Sequence, residues 1–277
     1  MSERTILRRV RGTDTSDGAG VKLKRVIGQP GLDMLDPFLL LDEFRSDSAD
    51  DYIAGFPEHP HRGFETVTYM LAGHMRHGDN HGNRGDLVPG SVQWMTAGRG
   101  ILHSEMPQQE NGLMWGFQLW VNLPAKDKMT APRYQDIGPQ QIPVLHPAEG
   151  VEVKLIAGEL AGATGPVEGI ATAPVYLDVS LQPRAQFALK LPLGHHGFAY
   201  VFEGDAVLVG GERLQRSELG VLSDGDQLQL AGGDQASRLL VVAGKPLNES
   251  VARYGPFVMN TQAQIHEAIA DFRAGRF

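Results

Sequence analysis

Short apolar runs broken by Gly and Pro set the pattern of this chain. Thr66-Val67-Thr68-Tyr69-Met70-Leu71, Val92-Gln93-Trp94-Met95, Gly116-Phe117-Gln118-Leu119-Trp120-Val121, Val175-Tyr176-Leu177-Asp178-Val179 and Leu239-Leu240-Val241-Val242 are rich in β-branched, aromatic and aliphatic residues. Many short strands between turn signals predict an all-β fold of sandwiches or barrels. One stretch reads as helix: Ile265, Ile269 and Phe272 recur at i, i+4 and i+7 after Asn260-Thr261, which can cap a helix start.

The two halves echo each other. Tyr69-Met70-Leu71-Ala72-Gly73 resembles Tyr200-Val201-Phe202-Glu203-Gly204, and downstream Trp94-Met95-Thr96-Ala97-Gly98 corresponds to Leu228-Gln229-Leu230-Ala231-Gly232. A strand ending in a Gly turn, then a second Gly-bounded strand at similar spacing, suggests a duplicated β unit. The Pro-, Gly- and Gln-rich stretch from about Lys126 to Gly169 would connect the copies. The expected domains are therefore 1–135 and 136–277.

With 277 residues, 42% hydrophobic and 21% charged, the chain has the composition of a globular protein. Its formal net charge of -8 repels phosphate backbones, which argues against direct nucleic-acid binding. Arg4, Arg8, Arg9 and Arg11 are then expected to form the solvated face of an edge strand. The absence of cysteine excludes disulfides, iron–sulfur ligation and a thiol nucleophile, leaving His and carboxylates as the strong metal ligands. Neither an apolar leader nor a membrane-length apolar run is present, so a cytoplasmic location with no membrane contact is expected.

The candidate chemistry lies in two motifs. In Gly55-Phe56-Pro57-Glu58-His59-Pro60-His61-Arg62-Gly63-Phe64-Glu65-Thr66, two histidines at i and i+2 lie on one face of an extended chain, about 7 Å apart at the backbone. Pro60 fixes φ and favours an extended residue before it. In Ala97-Gly98-Arg99-Gly100-Ile101-Leu102-His103-Ser104-Glu105-Met106-Pro107, His103 and Glu105 repeat the spacing with one nitrogen and one oxygen donor. Two antiparallel strands presenting such pairs inward would give one metal four ligands: His59, His61, His103 and Glu105. Either pair alone is an ordinary feature; their combination in Gly/Pro-framed turns beside buried strands is more specific. His74, His77 and His81 read as a solvated hairpin or as a rim over the metal mouth. His195 and His196 are adjacent, so in a strand they face opposite sides. With no His-x-Glu after Ala231-Gly232, the second copy is expected to be metal-free.

The run from His59 to Tyr69 resembles the signature of the pirin family, within the bicupin superfamily. Gln93 to Met106, Gln118 to Leu123, Asp36 to Phe44 and Gly255 to Thr261 are similar to it as well. The resemblance covers nearly the whole chain. It implies a pair of stacked cupin (jelly-roll) barrels with one non-haem iron in the N-terminal one, held by His59, His61, His103 and Glu105. Ordinary cupins take a ligand from the Glu after His-x-His, here Glu65. In pirins that role looks transferred to Glu105, which leaves Glu65 to orient a ligand histidine or to position Arg62.

Three imidazoles and one carboxylate leave positions open on a six-coordinate ion, and the set suits Fe, Mn, Ni, Cu or Zn. The resemblance favours Fe(II), and implies opening of quercetin-type flavonols by O2 with release of carbon monoxide. Glu105, or secondarily Glu65, would accept the proton of the flavonol 3-hydroxyl. Phe56, Met70, Trp94, Met106 and Trp120 are candidate apolar walls, each also readable as plain core. Two alternatives remain: another enolic or phenolic substrate, and a redox-sensitive regulator that binds a metabolic enzyme or transcription factor through protein contacts.

Overall fold

The computed structural model describes residues 2–204 and 206–277. The chain divides into two compact units. One holds the residues up to Gly12 with Gln29–Pro37 and Gln140–Pro246; the other holds Thr13–Gly28, Phe38–Pro139 and Leu247–Phe277. A single cut at 135/136 lies close to the passage at Pro139, but each unit also takes in a terminal segment from the opposite end of the chain. Strand pairing explains the first exchange: Ile6–Arg11 adds to the Glu218–Leu222 edge, with Arg9 opposite Gly220 and Val10 opposite Leu219.

Each unit is an antiparallel sandwich of a seven-stranded and a four-stranded sheet. In the first-half unit the larger sheet runs Arg133–Ile137, Val92–Thr96, Phe64–Ala72, Met114–Asn122, Phe38–Ser46, Val21–Ile27, Thr13–Asp17. Its smaller sheet runs Phe56–His61, Ile101–Pro107, Met75–Asp79, Arg84–Leu87. The second-half unit repeats both orders: Ile6–Arg11, Glu218–Leu222, His196–Glu203, Ser237–Gly244, Val175–Leu181, Val151–Ala157 and Val144–Leu145 in one sheet; Gln186–Lys190, Gln227–Gly232, Ala206–Val209 and Glu212–Gln215 in the other.

This order upholds one half of the sequence echo and corrects the other. Phe64–Ala72 and His196–Glu203 occupy the same place, each followed by a glycine in the left-handed region, Gly73 and Gly204. Val92–Thr96, however, corresponds to Glu218–Leu222, while Gln227–Gly232 takes the place of Ile101–Pro107. Spacing along the chain cannot tell two Gly-bounded strands apart when they belong to opposite sheets; pairing can.

The interiors differ. In the second-half unit Phe187 faces Leu230 and Leu189 faces Leu228 across the two strands equivalent to the histidine-bearing pair, and all four are buried among Val, Leu and Ala from both sheets. The first-half unit has a smaller apolar cluster, Val21, Leu23, Phe44, Tyr52, Met70, Met75, Leu87 and Met114, beside buried polar residues that include Asp42, Thr68, Gln93, His103 and Glu105.

Two elements refine the sequence reading. Ile6–Arg11 is an edge strand with exposed Arg8, Arg9 and Arg11, but Arg4 is buried. Its guanidinium donates to the carbonyls of Pro192, His195, Ser223 and Gly225, replacing water that burial removes. The helix α1, Gln262–Arg273, begins at Thr261, whose hydroxyl accepts from the Gln264 N–H while the Gln264 side chain accepts from the Thr261 N–H. Among the described residues no helix is long and apolar enough to cross a membrane.

Replacing Leu228, fully buried in the second-half interior, by Ala should lower unfolding free energy by about 2–5 kcal/mol. A urea midpoint within error of the unsubstituted chain would contradict this account of the core.

Candidate metal centre

The two histidine-bearing motifs are antiparallel neighbours. His103 pairs with His59, Leu102 with Pro60 and Ile101 with His61. Between His103 and Glu105 the register shifts, so that Glu105 faces Phe56, with Pro57 and Glu58 set against Ser104 alone. Such a bulge turns the strand locally, and it brings Phe56 rather than Pro57 toward the apolar cluster of this unit.

Three imidazoles converge as a result. The ring centroids of His59 and His61 are 4.7 Å apart, those of His59 and His103 4.4 Å, and those of His61 and His103 4.9 Å. One ligand nitrogen from each lies within 4.8 Å of the other two. His59 Nδ1 donates to the Pro57 carbonyl at 2.8 Å, which leaves the lone pair on Nε2, 3.0 Å from His61 Nε2. Burial, then His103 and His59, holds the His61 imidazole well below its ordinary value; burial, then His59 and His77, does the same for His103. The His61 and His103 rings are therefore neutral, the form that ligates a metal. Both ring nitrogens of His103 are buried without a hydrogen-bond partner. Such orphans are rare because they forfeit hydration, and a metal ion among the three rings would satisfy one of them.

Glu105 is buried beside this group and, with His61, lines a small cavity of about 60 Å³. Thr68 sits 2.8 Å from Glu105 Oε1 and 2.7 Å from the Gln118 amide. A hydroxyl has one proton, so Thr68 donates to one of its two acceptors at a time, Glu105 Oε1 or Gln118 Oε1. The three histidines form the close cluster, and Glu105 is held next to them by this chain.

Glu65 stands elsewhere. Phe64, whose ring lies 5.0 Å from that of His61, and Thr68 face the histidines, so Glu65 points to the opposite side of its strand. There Thr96 donates to its Oε1 at 2.7 Å. Burial raises the Glu65 pKa, against the pull of Thr96 and Trp94. The expectation that Glu65 orients a ligand histidine or positions Arg62 is thus corrected by strand alternation; Arg62 instead meets Asp271 and the Arg99 carbonyl.

A second space of about 580 Å³ adjoins the histidines, lined by His59, Phe56, Leu40, Trp120, Arg25 and Arg253 among others. Of the five candidate apolar walls, Phe56 and Trp120 line both cavities. Met70 belongs to the packed core, Trp94 is fully buried on the Glu65 side, and Met106 lines neither space. Sequence reasoning passed over Asp42, which Arg25 grips through both oxygens at 3.0 and 2.8 Å; burial pushes its carboxyl up to about 6 against that pull. A charged residue inside the apolar run Phe38–Phe44 was the available signal.

His74, His77 and His81 separate. His77 is neither solvated nor a rim: it lies buried on the Met75–Asp79 strand opposite Glu105, 3.2 Å from Asp136 and stacked on Tyr134 at 5.1 Å. Gly85 makes room for it, since a Cβ there would collide with His77 Nε2. His74 pairs with Asp86 near the surface and His81 is exposed. In the second-half unit His195 is buried, while His196 is exposed and donates from Nδ1 to the Asp36 carbonyl at 2.8 Å.

The depressed imidazoles set a pH response. In metal-free protein the unfolded chain takes up protons below about pH 6.5 that buried His61 and His103 refuse, so stability falls as pH drops below that value. Thermal unfolding of metal-free protein between pH 7.5 and 5 should show this decline, with a shallower slope for His103→Gln. An unchanged slope would assign the decline to other groups.

The family model described as Pirin matches residues 20–121, and the Pirin C-terminal cupin domain model matches residues 176–277. A Pseudomonas aeruginosa protein provisionally named a quercetin 2,3-dioxygenase is 51% identical, covering 98% of this chain and 97% of its own length. Human pirin is 43% identical over 98% of this chain and 93% of its own. The crystal structure of quercetin 2,3-dioxygenase from Acinetobacter baumannii superposes with a TM-score of 0.91 at 37% identity, covering 100% of this chain and 99% of that one.

Proposed function

The chain belongs to the pirin family, and on that premise we propose that it is a metal-dependent dioxygenase which opens quercetin-like flavonols with O2. His59, His61, His103 and Glu105 hold one divalent ion, iron in preference to Mn, Ni, Cu or Zn, whose nitrogen and oxygen donor needs the same set can meet. The observation that carries the reading is the cluster of three imidazoles, with ligand atoms within 4.8 Å of one another, opening on a cavity of about 580 Å³. That volume falls within the range of small-molecule sites, and relatives named for quercetin dioxygenation supply the substrate class.

When bound, the ion supplies Lewis acidity that lowers the pKa of a substrate hydroxyl. The chain supplies the rest. Phe56, Leu40 and Trp120 present apolar faces to a flat polycyclic ligand. Glu105 accepts the proton of the flavonol 3-hydroxyl on the oxygen it does not give to the ion, and Thr68, bonded to Oε1, fixes the direction of the carboxylate. The narrow space beside His61 and Glu105 limits water at the reacting end of the substrate.

The test loads purified protein anaerobically with Fe(II), adds quercetin and air, and follows both flavonol absorbance and carbon monoxide. Turnover with carbon monoxide release is expected, and His61→Ala should abolish both. Turnover that survives the substitution would sink a metal-centred mechanism, and none with Fe, Mn, Ni or Cu would sink the flavonol assignment.

A further inference from the structure

The segment after Leu247 is tied to the histidine motifs by backbone and side-chain hydrogen bonds. Arg62, next to His61, donates its N–H to the Pro256 carbonyl at 3.2 Å and accepts from the Val258 N–H at 3.0 Å. Gly63 permits this approach: its φ is +89°, and a Cβ would collide with the Val258 carbonyl. Lys128, buried, donates to the carbonyls of Gly63 at 2.8 Å and Val258 at 2.9 Å and to Asn122 at 2.8 Å.

The Arg62 side chain is the node. It is 3% exposed and reaches Asp271 of α1 at 2.8 Å, while its Nε donates to the Arg99 carbonyl in the turn that leads into His103. Its guanidinium also lies 4.4 Å over the Phe277 ring. Gly100 in the same turn leaves room for Phe277, whose carbonyl accepts from Asn80 at 2.8 Å.

We propose that Arg62 is a positioning residue through which α1 sets the strength of metal binding, by holding the turn before His103 against the strand end that carries His61. This rests on the metal-site reading given under Proposed function. Arg62 follows His61 directly in the first motif, and its guanidinium is bonded to the Arg99 carbonyl of the second motif and to a single carboxylate on the helix. Loss of that carboxylate leaves a buried cation with one fewer partner, and the cation must shift toward water. Its two attachments, one residue from His61 and four from His103, shift with it. Partners behind the ligands commonly change metal affinity 10- to 100-fold.

The experiment titrates cobalt(II) into full-length protein against a competing chelator, reading both affinity and the visible absorption bands that report coordination geometry. Folding is checked by circular dichroism. Asp271→Asn and Arg62→Lys should each weaken cobalt binding about tenfold and alter the bands. The double variant should be no weaker than either single one, because both break the same link. Arg276→Ala removes the other, more exposed partner of Asp271 and should leave affinity and bands unchanged. Unchanged cobalt binding in folded Asp271→Asn, equal weakening by Arg276→Ala, or multiplying effects in the double variant would each overturn the proposal. If Asp271→Asn does not fold, unchanged cobalt binding in Arg62→Lys overturns it equally. Absence of cobalt binding by the unsubstituted protein would overturn the metal reading itself, and this inference with it.

Discussion

The molecule's first-half unit is organised around one constraint: three imidazoles must stay close together inside a sandwich, and the two most buried, His61 and His103, must stay neutral. Imidazoles at ring separations of 4.4–4.9 Å repel one another once protonated, and burial penalises the charged form further. The surroundings answer both demands. The Pro57 carbonyl selects the His59 tautomer that turns Nε2 inward. The register shift ahead of Glu105 places a carboxylate beside the group, and Thr68 fixes it. A polar interior is the consequence, and it replaces apolar packing that the other unit retains.

The two units make this trade visible. They share strand order across both sheets, so the backbone by itself does not decide what the interior does. Where one pair of strands carries His59 and His103, its counterpart carries Phe187, Leu189, Leu228 and Leu230 packed among aliphatic side chains. One interior excludes water by filling; the other keeps space beside its polar groups, about 60 Å³ at His61 and Glu105 and about 580 Å³ at His59. An apolar core tolerates many sequences of equal volume, whereas a ligand cluster fixes residue type and spacing. That difference explains why only the first-half motifs stand out along the chain.

How far the site could be read without coordinates follows from the range over which each feature acts. Alternation and Gly/Pro punctuation act over a few residues, so the β character, the Thr261-capped helix and the His59–His61 pair on one strand face were all legible. So were the candidate donor residues, because His-x-His and His-x-Glu state their donors directly. Glu65 was misplaced because one residue of strand register decides which face a side chain takes. His77 was misread as a loop residue because its burial comes from Asp136 and Tyr134, more than fifty residues away.

Sequence alone therefore determined the local terms: which residues can form strands, which can ligate, and which family they resemble. Tertiary structure decided the relations between them. It paired His103 with His59, exchanged the terminal segments between the units, and set Arg62 against Asp271, 209 positions along the chain. The physical reason is common to all three. Side-chain chemistry is carried by each residue, but pairing register and burial are properties of contacts between distant segments, which only the packed chain brings into being.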